Sequence, residues 1–329
     1  MYLSKEGDTV LVVQGDEIKL RFPIHNLEGI VTCGYTGASP ALMRLCCERG
    51  VALSFLSSTG RFIGRLTGEV HGNVLVRRTQ YRWADNDEKT LSLSKRFVQA
   101  KILNSRVALM RCLRDHGGKQ DMSEMNSAVN ELGRLATKVE RLGNLELLRG
   151  IEGEAAKKYF NCFNMMITAQ KEDFIFCNRN RRPPTDNVNA MLSFVYVLLA
   201  REVSSALETV GFDPQVGFLH RDRPGRDSLA FDIMEELRPY LADRLVLSLI
   251  NRRQIDAKGF IKKESGAVIM DDDTRKTVLT EWQKRKQEEL THPYLEEKLS
   301  IGLLPYAQAL LLSRYIRGDL EDYPPFFWK

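Results

Sequence analysis

The chain has 329 residues, 43% of them hydrophobic, which supports one large domain or two ordinary ones and excludes a disordered chain. Its 48 Lys and Arg against 43 Asp and Glu leave a formal charge of +5, a mild excess that suits a polyanionic partner without demanding one. Six cysteines without CxxC pairs or a closely spaced histidine suggest neither a zinc site nor a disulfide framework, and they read as reduced thiols, mostly core filler.

Residues 1 to about 70 alternate in the manner of strands: TVLVVQ, then EIKLRFP after a turn at Gly15, LEGIVTCG, VALSFLSS, and FIGRLTGE around a turn at Gly60. One helix interrupts them, begun by Ser39 before Pro40 and stopped by Gly50, with ALMRLCCER between. The stretch HGNVLVRRTQYRWADND has no clear period and reads as a linker over 71–88 with one possible strand. Long helical patterns follow: LSLSKRFVQAKILNSRVALMRCL, MNSAVNELGRLATKVERL, NLELLRGIEGEAAKKYFNCF and NVNAMLSFVYVLLAREVSSAL. The fold class expected is therefore α+β, a small N-terminal β-rich domain (1–70) followed by a larger all-α domain (89–329).

Within the second domain, FIKKESGAVI reads as a hairpin turning at Ser265 and Gly266. The last helix, PYAQALLLSRYIRG, stops at Gly318. The tail EDYPPFFWK has two prolines that forbid helix and four aromatics, Tyr323, Phe326, Phe327 and Trp328, so it either packs on its own domain or docks on a partner. MYLSKEGDTV lacks a signal-peptide pattern, and the longest greasy run, MLSFVYVLLA over 191–200, is too short to span a bilayer. The expectation is a soluble, cytoplasmic protein with no membrane contact.

One carboxylate stands out on periodicity alone. A helical wheel over 145–163 sets Leu145, Leu148, Ala155, Ala156, Tyr159 and Phe163 on one face and Glu146, Glu154, Lys157 and Lys158 on the other, with Glu152 in the middle of the apolar face. A buried carboxylate needs a partner, either a metal ion, a base or several donors. Gly150 and Gly153 flank it and weaken the helix by roughly 1 kcal/mol each relative to Ala, which makes sense where a backbone or a ligand comes close. An ion ligand and an acid paired with an arginine both satisfy the pattern.

The second region is GFLHRDRPGRDSLAFDIMEELRP. Pro224 and Gly225 mark a turn, Asp227 is placed as an N-cap, and Leu229, Ala230, Ile233, Met234 and Leu237 form the apolar arc of the following helix. Asp232 and Glu235, three apart, lie together on its opposite side, and His220 precedes the turn. Singly these read as a loop histidine and a solvated face; with Glu152 they would make a mixed oxygen and nitrogen site suited to Mg²⁺ or Mn²⁺.

LRGIEGEAAKKYF, RPPTDNVNAMLSFVYVLL and the third block above, in this order, resemble the signature blocks of the integrase family of CRISPR adaptation, and the ending YPPFFWK resembles that of subtype C of type I systems. The resemblance implies a dimerising N-terminal β domain, a linker and an α-helical catalytic domain. It implies Glu152, His220 and Asp232 as catalytic residues and ligands of Mg²⁺ or Mn²⁺, with Glu235 as a further ligand, direct or through water. Tyr159, Asn189, Ser193 and Tyr196 carry over as pocket or DNA neighbours. The reaction implied is transesterification: a 3′ hydroxyl of protospacer DNA attacks a phosphodiester at a CRISPR repeat, with hydrolysis of branched DNA as the same chemistry using water.

Holding two DNA segments needs cations, for which Arg179, Arg181 and Arg182, then Arg221, Arg223 and Arg226, and Lys262 with Lys263 in the hairpin are the candidates. The resemblance further implies a homodimer, two such dimers bridged by a small ferredoxin-like adaptation protein in a four-plus-two complex, and an accessory iron-sulfur nuclease. Two other functions fit the residues: a metal-dependent repair endonuclease without integration, and a noncatalytic DNA-binding scaffold. No GxxxxGK[ST] loop is present to support nucleotide hydrolysis.

Overall fold

A computed structural model describes residues 1–27, 29–57, 62–66, 74–116 and 122–328. The chain divides into two compact units, Met1–His71 and Gly72–Lys329. The first is rich in strands and the second in helices, an α+β architecture. The turn expected at Gly60 and the start of the stretch expected as a linker lie outside the described residues.

In the first unit β1 (Tyr2–Glu6), β2 (Thr9–Gln14) and β3 (Glu17–Pro23) form an antiparallel meander, and β5 (Gly37–Ala38) joins β1 in parallel. A second sheet orders β4 (Gly29–Cys33), β6 (Ala52–Leu56) and β7 (Phe62–Leu66). The helix α1 (Pro40–Glu48) starts where its sequence says: Ser39 Oγ accepts from Leu42 N at 3.2 Å and Pro40 fills the first turn. Leu3, Val10, Ile24, Leu42, Leu45 and Leu53 close a small core between these elements.

The second unit begins with a correction. Val74–Ala84, within the stretch read as a linker with a possible strand, is the helix α2. Its buried residues are Val76 and Gln80, and Gln80 Nε2 donates to the carbonyls of Asp213 at 2.7 Å and Val216 at 2.8 Å. With only these two residues fully buried, and Trp83 packing at its end against Tyr315, the helix shows no clear apolar period.

The 30-residue α3 (Asp87–His116) packs against α4 (Ser123–Val139), α5 (Leu145–Asn161) and α7 (Ser228–Leu237). The helix α6 (Asn187–Val210) is long and apolar enough to cross a membrane by length and composition, but 67% of that window is buried within the unit, and the helix packs against α7. Asp186 caps its start and Gly211, at φ 101°, ends it. Beyond α7 the helix widens into a π segment over Arg238–Asp243 and resumes as α8 (Arg244–Asn251). The hairpin β8 (Phe260–Lys262) and β9 (Val268–Met270) turns at Gly266, and α9 (Asp272–Gln287), a second hairpin of β10 (Glu289–Thr291) and β11 (Lys298–Ser300), and α10 (Leu304–Arg317) follow. Of the cysteines, Cys46, Cys112 and Cys162 are buried free thiols and Cys177 is exposed.

The aromatic tail packs on its own unit. Tyr323 and Phe326 are buried, and the carboxylate of Glu236 on α7 accepts from Tyr323 Oη at 2.6 Å, Phe326 N at 2.6 Å and Gln308 Nε2 at 2.8 Å. Asn104 of α3 ties the same elements: its Nδ2 donates to the carbonyls of Glu236 and Phe326 at 2.7 and 2.8 Å, and its Oδ1 accepts from Trp328 N at 2.8 Å. Burial pushes the Glu236 carboxyl up to about 8, against these hydrogen bonds, which pull the other way.

Because the folded-state value lies above the ordinary 4.5, the stability this group contributes is fully present below that pH and is lost as pH rises through about 8. Thermal unfolding in chelator should therefore show the midpoint of the wild-type protein falling relative to Glu236→Gln between about pH 5 and about pH 8. A constant difference across that range would contradict the assignment.

Candidate metal centre

Asn144 caps α5 by accepting from Leu147 N at 2.9 Å, which sets the rotation of the helix that carries Glu152. The buried face is Leu148, Ile151, Ala155 and Tyr159, rotated from the expected one so that Glu152 stands at its rim with a side chain 27% exposed. Glu152 is thus a boundary carboxylate rather than a core one. Its partner is a lysine: Lys101 Nζ on α3 contacts Glu152 Oε1. Gly150 and Gly153 are exposed, and a Cβ added at either meets nothing within 4 Å, so no close approach among the described residues requires them.

Asp232 and Glu235 sit on no solvated face, because α7 is buried nearly all round. Asp232 Oδ2 accepts from the amides of Phe218 at 2.6 Å and Leu219 at 3.0 Å, and Oδ1 accepts from the amide of His220 at 3.0 Å and meets its Nδ1 at 2.6 Å. Both oxygens are therefore committed to holding the 218–220 loop and the imidazole. With Nδ1 against a carboxylate, the proton is assigned there and Nε2 keeps its lone pair. Gly217 makes room for this, since a Cβ would come within 2.8 Å of Ser228 and 3.0 Å of Asp232 Oδ2. Arg149 on α5 fixes the loop from the other side, donating from Nε at 3.0 Å and Nη2 at 2.6 Å to the carbonyl of Leu219.

Glu235, 2% exposed, has no backbone partners of this kind. Its Oε1 accepts from Arg238 at 2.5 Å and lies 3.9 Å from His220 Nε2, and its Oε2 lies 2.8 Å from Lys101 Nζ. That Oε2 is buried and makes an ion pair without hydrogen-bond geometry. Burial works against its charge, but Arg238 and Lys101 outweigh burial and hold the carboxyl below its ordinary range. Burial likewise disfavours the Lys101 ammonium, and Glu235 and Glu152 more than offset it, raising its pKa.

Among the described residues no group of three or more His, Cys, Asp and Glu side chains stands close enough to hold a metal ion, because Lys101 Nζ lies between the two glutamates. The donor chemistry still fits a hard divalent ion. Two carboxylates already gather around one positive charge, the Nε2 of His220 lies 3.9 Å from one of them, and one glutamate oxygen lacks a hydrogen bond.

The residues expected as pocket neighbours form one internal network. Asp243 accepts from Tyr196 Oη at 2.6 Å and Tyr159 Oη at 3.0 Å, and burial, against these bonds, raises its carboxyl to about 6. Arg179 and Arg238 lie over the Tyr196 ring at 5.1 and 5.0 Å. Arg179 also donates to Asn189 Oδ1 at 2.6 Å and Ser193 Oγ at 3.1 Å. Tyr159 and Asn189 are buried, so they act through their neighbours. Of the basic candidates, Arg181, Arg182, Arg221, Arg223, Lys262 and Lys263 are exposed. Arg221 pairs with Glu146, and Arg226 donates to the Arg221 carbonyl at 3.0 Å.

Sequence reasoning missed Lys101, Arg149, Arg238 and Asp243. A signal existed for Lys101: it falls between Phe97 and the buried Asn104 and Ser105 at spacings of four and three, so a lysine interrupts the inward stripe of α3.

The sequence matches the family described as CRISPR associated protein Cas1 over residues 1–284. The CRISPR-associated endonuclease Cas1 1 of Chlorobaculum tepidum is 52% identical over 328 residues, 100% of this chain and 96% of the relative. A CRISPR-associated exonuclease Cas4/endonuclease Cas1 fusion of Geobacter sulfurreducens is 35% identical over 99% of this chain and 58% of the fusion. Among solved structures, a casposase bound to integration product superposes with a TM-score of 0.84 at 23% identity, over 98% of this chain and 89% of that one. A chain of a Cas6-RT-Cas1–Cas2 complex gives 0.82 at 23%, over 100% of this chain and 35% of that one. At such identities the structural likeness is one of fold. The family match over most of the length, with the 52% identity to a relative named an endonuclease, shows that the chain belongs to the Cas1 family of CRISPR-associated proteins.

Proposed function

We propose that this chain joins 3′ hydroxyl ends of protospacer DNA to CRISPR repeats by transesterification, with cleavage of branched DNA as the hydrolytic side of the same chemistry. The observation that carries the reading is the meeting of Glu152 and Glu235 on the Lys101 ammonium, with His220 Nε2 3.9 Å from the other oxygen of Glu235. Magnesium or manganese held by these three would supply Lewis-acid neutralisation of the nonbridging phosphate oxygens. Asp232, with both oxygens committed to the loop, takes the role of orienting His220 rather than that of a direct ligand. Arg149 holds the loop carbonyl and Arg238 fixes the Glu235 rotamer. The casposase of similar fold, described as bound to integration product, supports joining over repair cleavage.

For partners, a Cas1–Cas2 complex and a Cas4/Cas1 fusion among the similar proteins support a small ferredoxin-like adaptation protein and an accessory nuclease. The edge strand β3 supports a homodimer through the first unit, because its Ile18, Leu20 and Phe22 are 40%, 52% and 42% exposed.

The deciding assay incubates the chain and its small partner with Mn²⁺, a short duplex and a supercoiled plasmid bearing a repeat. Joined product is expected from the wild type, and cleavage without joining would favour a repair nuclease. Glu152→Ala should lose joining and cleavage but keep duplex binding measured without Mn²⁺; retained joining would support the noncatalytic scaffold. Asp232→Asn should cost about 10–100-fold in Mn²⁺ affinity or activity through the misplaced imidazole. If Arg181 and Arg182 touch phosphates, replacing both by Ala should reduce the slope of log affinity against log salt by about 0.9 for each phosphate no longer neutralised. Leu20→Ser with Phe22→Ser should shift sedimentation from dimer to monomer; an unchanged dimer would place its interface elsewhere.

A further inference from the structure

The centre already contains a cation. The Lys101 side chain is 11% exposed, and its ammonium lies 2.8 Å from Glu235 Oε2 and in contact with Glu152 Oε1. These are the two carboxylates that a divalent ion needs, and two cations repel too strongly at such range to share them at full strength. Glu152, Asp232 and Glu235 carry negative charge here, and Lys101 and Arg238 carry positive. With the imidazole neutral, as a metal ligand must be, one net negative charge remains while Lys101 stays in place. That is a weak field for a divalent ion.

A DNA phosphate changes the balance, because it offers Lys101 a different anion. There is an open side for it to approach. The side chains of Glu152 and His220 are 27% and 28% exposed, so the rim of the centre is reachable from solvent.

We infer that Lys101 makes ion binding and DNA binding cooperative: without DNA its ammonium occupies Glu152 and Glu235, and an arriving phosphodiester draws it away and releases both carboxylates to the ion. The inference rests on the metal-centre reading above and adds a linkage to it. By thermodynamic reciprocity, DNA tightens ion binding by the same factor as the ion tightens DNA binding. The chain then loads its ion mainly on its substrate, which limits hydrolysis elsewhere.

The test measures Mn²⁺ binding to the full chain, from the paramagnetic resonance of free Mn²⁺, with and without a duplex ending in 3′-dideoxynucleotides. In the wild type, DNA should tighten Mn²⁺ binding by about tenfold or more. Lys101→Met should bind Mn²⁺ tightly without DNA, and DNA should add less than about twofold; Lys101→Arg should restore the coupling. Lys101→Gln is read in the same way should the methionine variant fail to fold. Weaker Mn²⁺ binding in Lys101→Met, as a mere packing role requires, or coupling that survives the substitution, would overturn the inference. Glu152→Ala and Glu235→Ala are the control: if both bind Mn²⁺ as the wild type does, the metal-centre reading itself fails and the coupling falls with it.

Discussion

Three acids within five residues of α7 are buried, and an ionised carboxylate without partners inside a protein costs several kcal/mol, on the order that would unfold or neutralise it. Each acid is satisfied in a different way, and together they organise the second unit. Asp232 is satisfied by backbone amides, which pins the 218–220 loop and the imidazole of His220. Glu235 is satisfied by side-chain cations, which brings α3 and the π segment to α5. Glu236 is satisfied by neutral donors, and that draws the tail and α10 onto the back of the same helix.

The chemistry of each partner set fixes what each acid can do. A carboxylate saturated by amides is an orienting group with no lone pair to spare. One held by ammonium and guanidinium groups keeps its charge and can exchange one cation for another. One held by a phenol, an amide side chain and a backbone amide in a dry interior is pushed toward its neutral form and serves as a structural joint. The proposed roles of Glu235 as ion ligand and Asp232 as positioning residue rest on these differences, although the two residues are three apart on one helix.

The π segment at Arg238–Asp243 belongs to the same arrangement. A widened turn after Glu235 brings Arg238 back onto that glutamate and over Tyr196, and sets Asp243 beneath the two phenols. Functional sites often carry such bulges because they re-aim side chains that a regular helix would point elsewhere. Pro239, which has no N–H to give the helical ladder, is a local signal in RPYLAD that the regular helix breaks, but which side chains the break re-aims lies in tertiary contacts.

Much of this was legible in the sequence for a local reason. The cap at Ser39, stops at Gly50 and Gly318, and the alternation of TVLVVQ act within a few residues, so the strands, the long helices and the order of the two units followed from the chain alone, whereas Asp227, expected as a cap, makes no side-chain cap bond. The family blocks likewise named Glu152, His220, Asp232 and Glu235. The roles within that set depended on contacts across 51 positions from Lys101 to Glu152 and 12 from His220 to Asp232. Periodicity placed Glu152 in the core, yet packing rotated α5 and left it at the rim, and α2 escaped notice because only a valine and a glutamine of it are fully buried and polar bonds from Arg77, Gln80 and Tyr81 tie it down. Sequence determines which groups are available and roughly which way they face. Only the tertiary structure decides which partner satisfies each buried charge, because that choice is made between helices far apart in the chain.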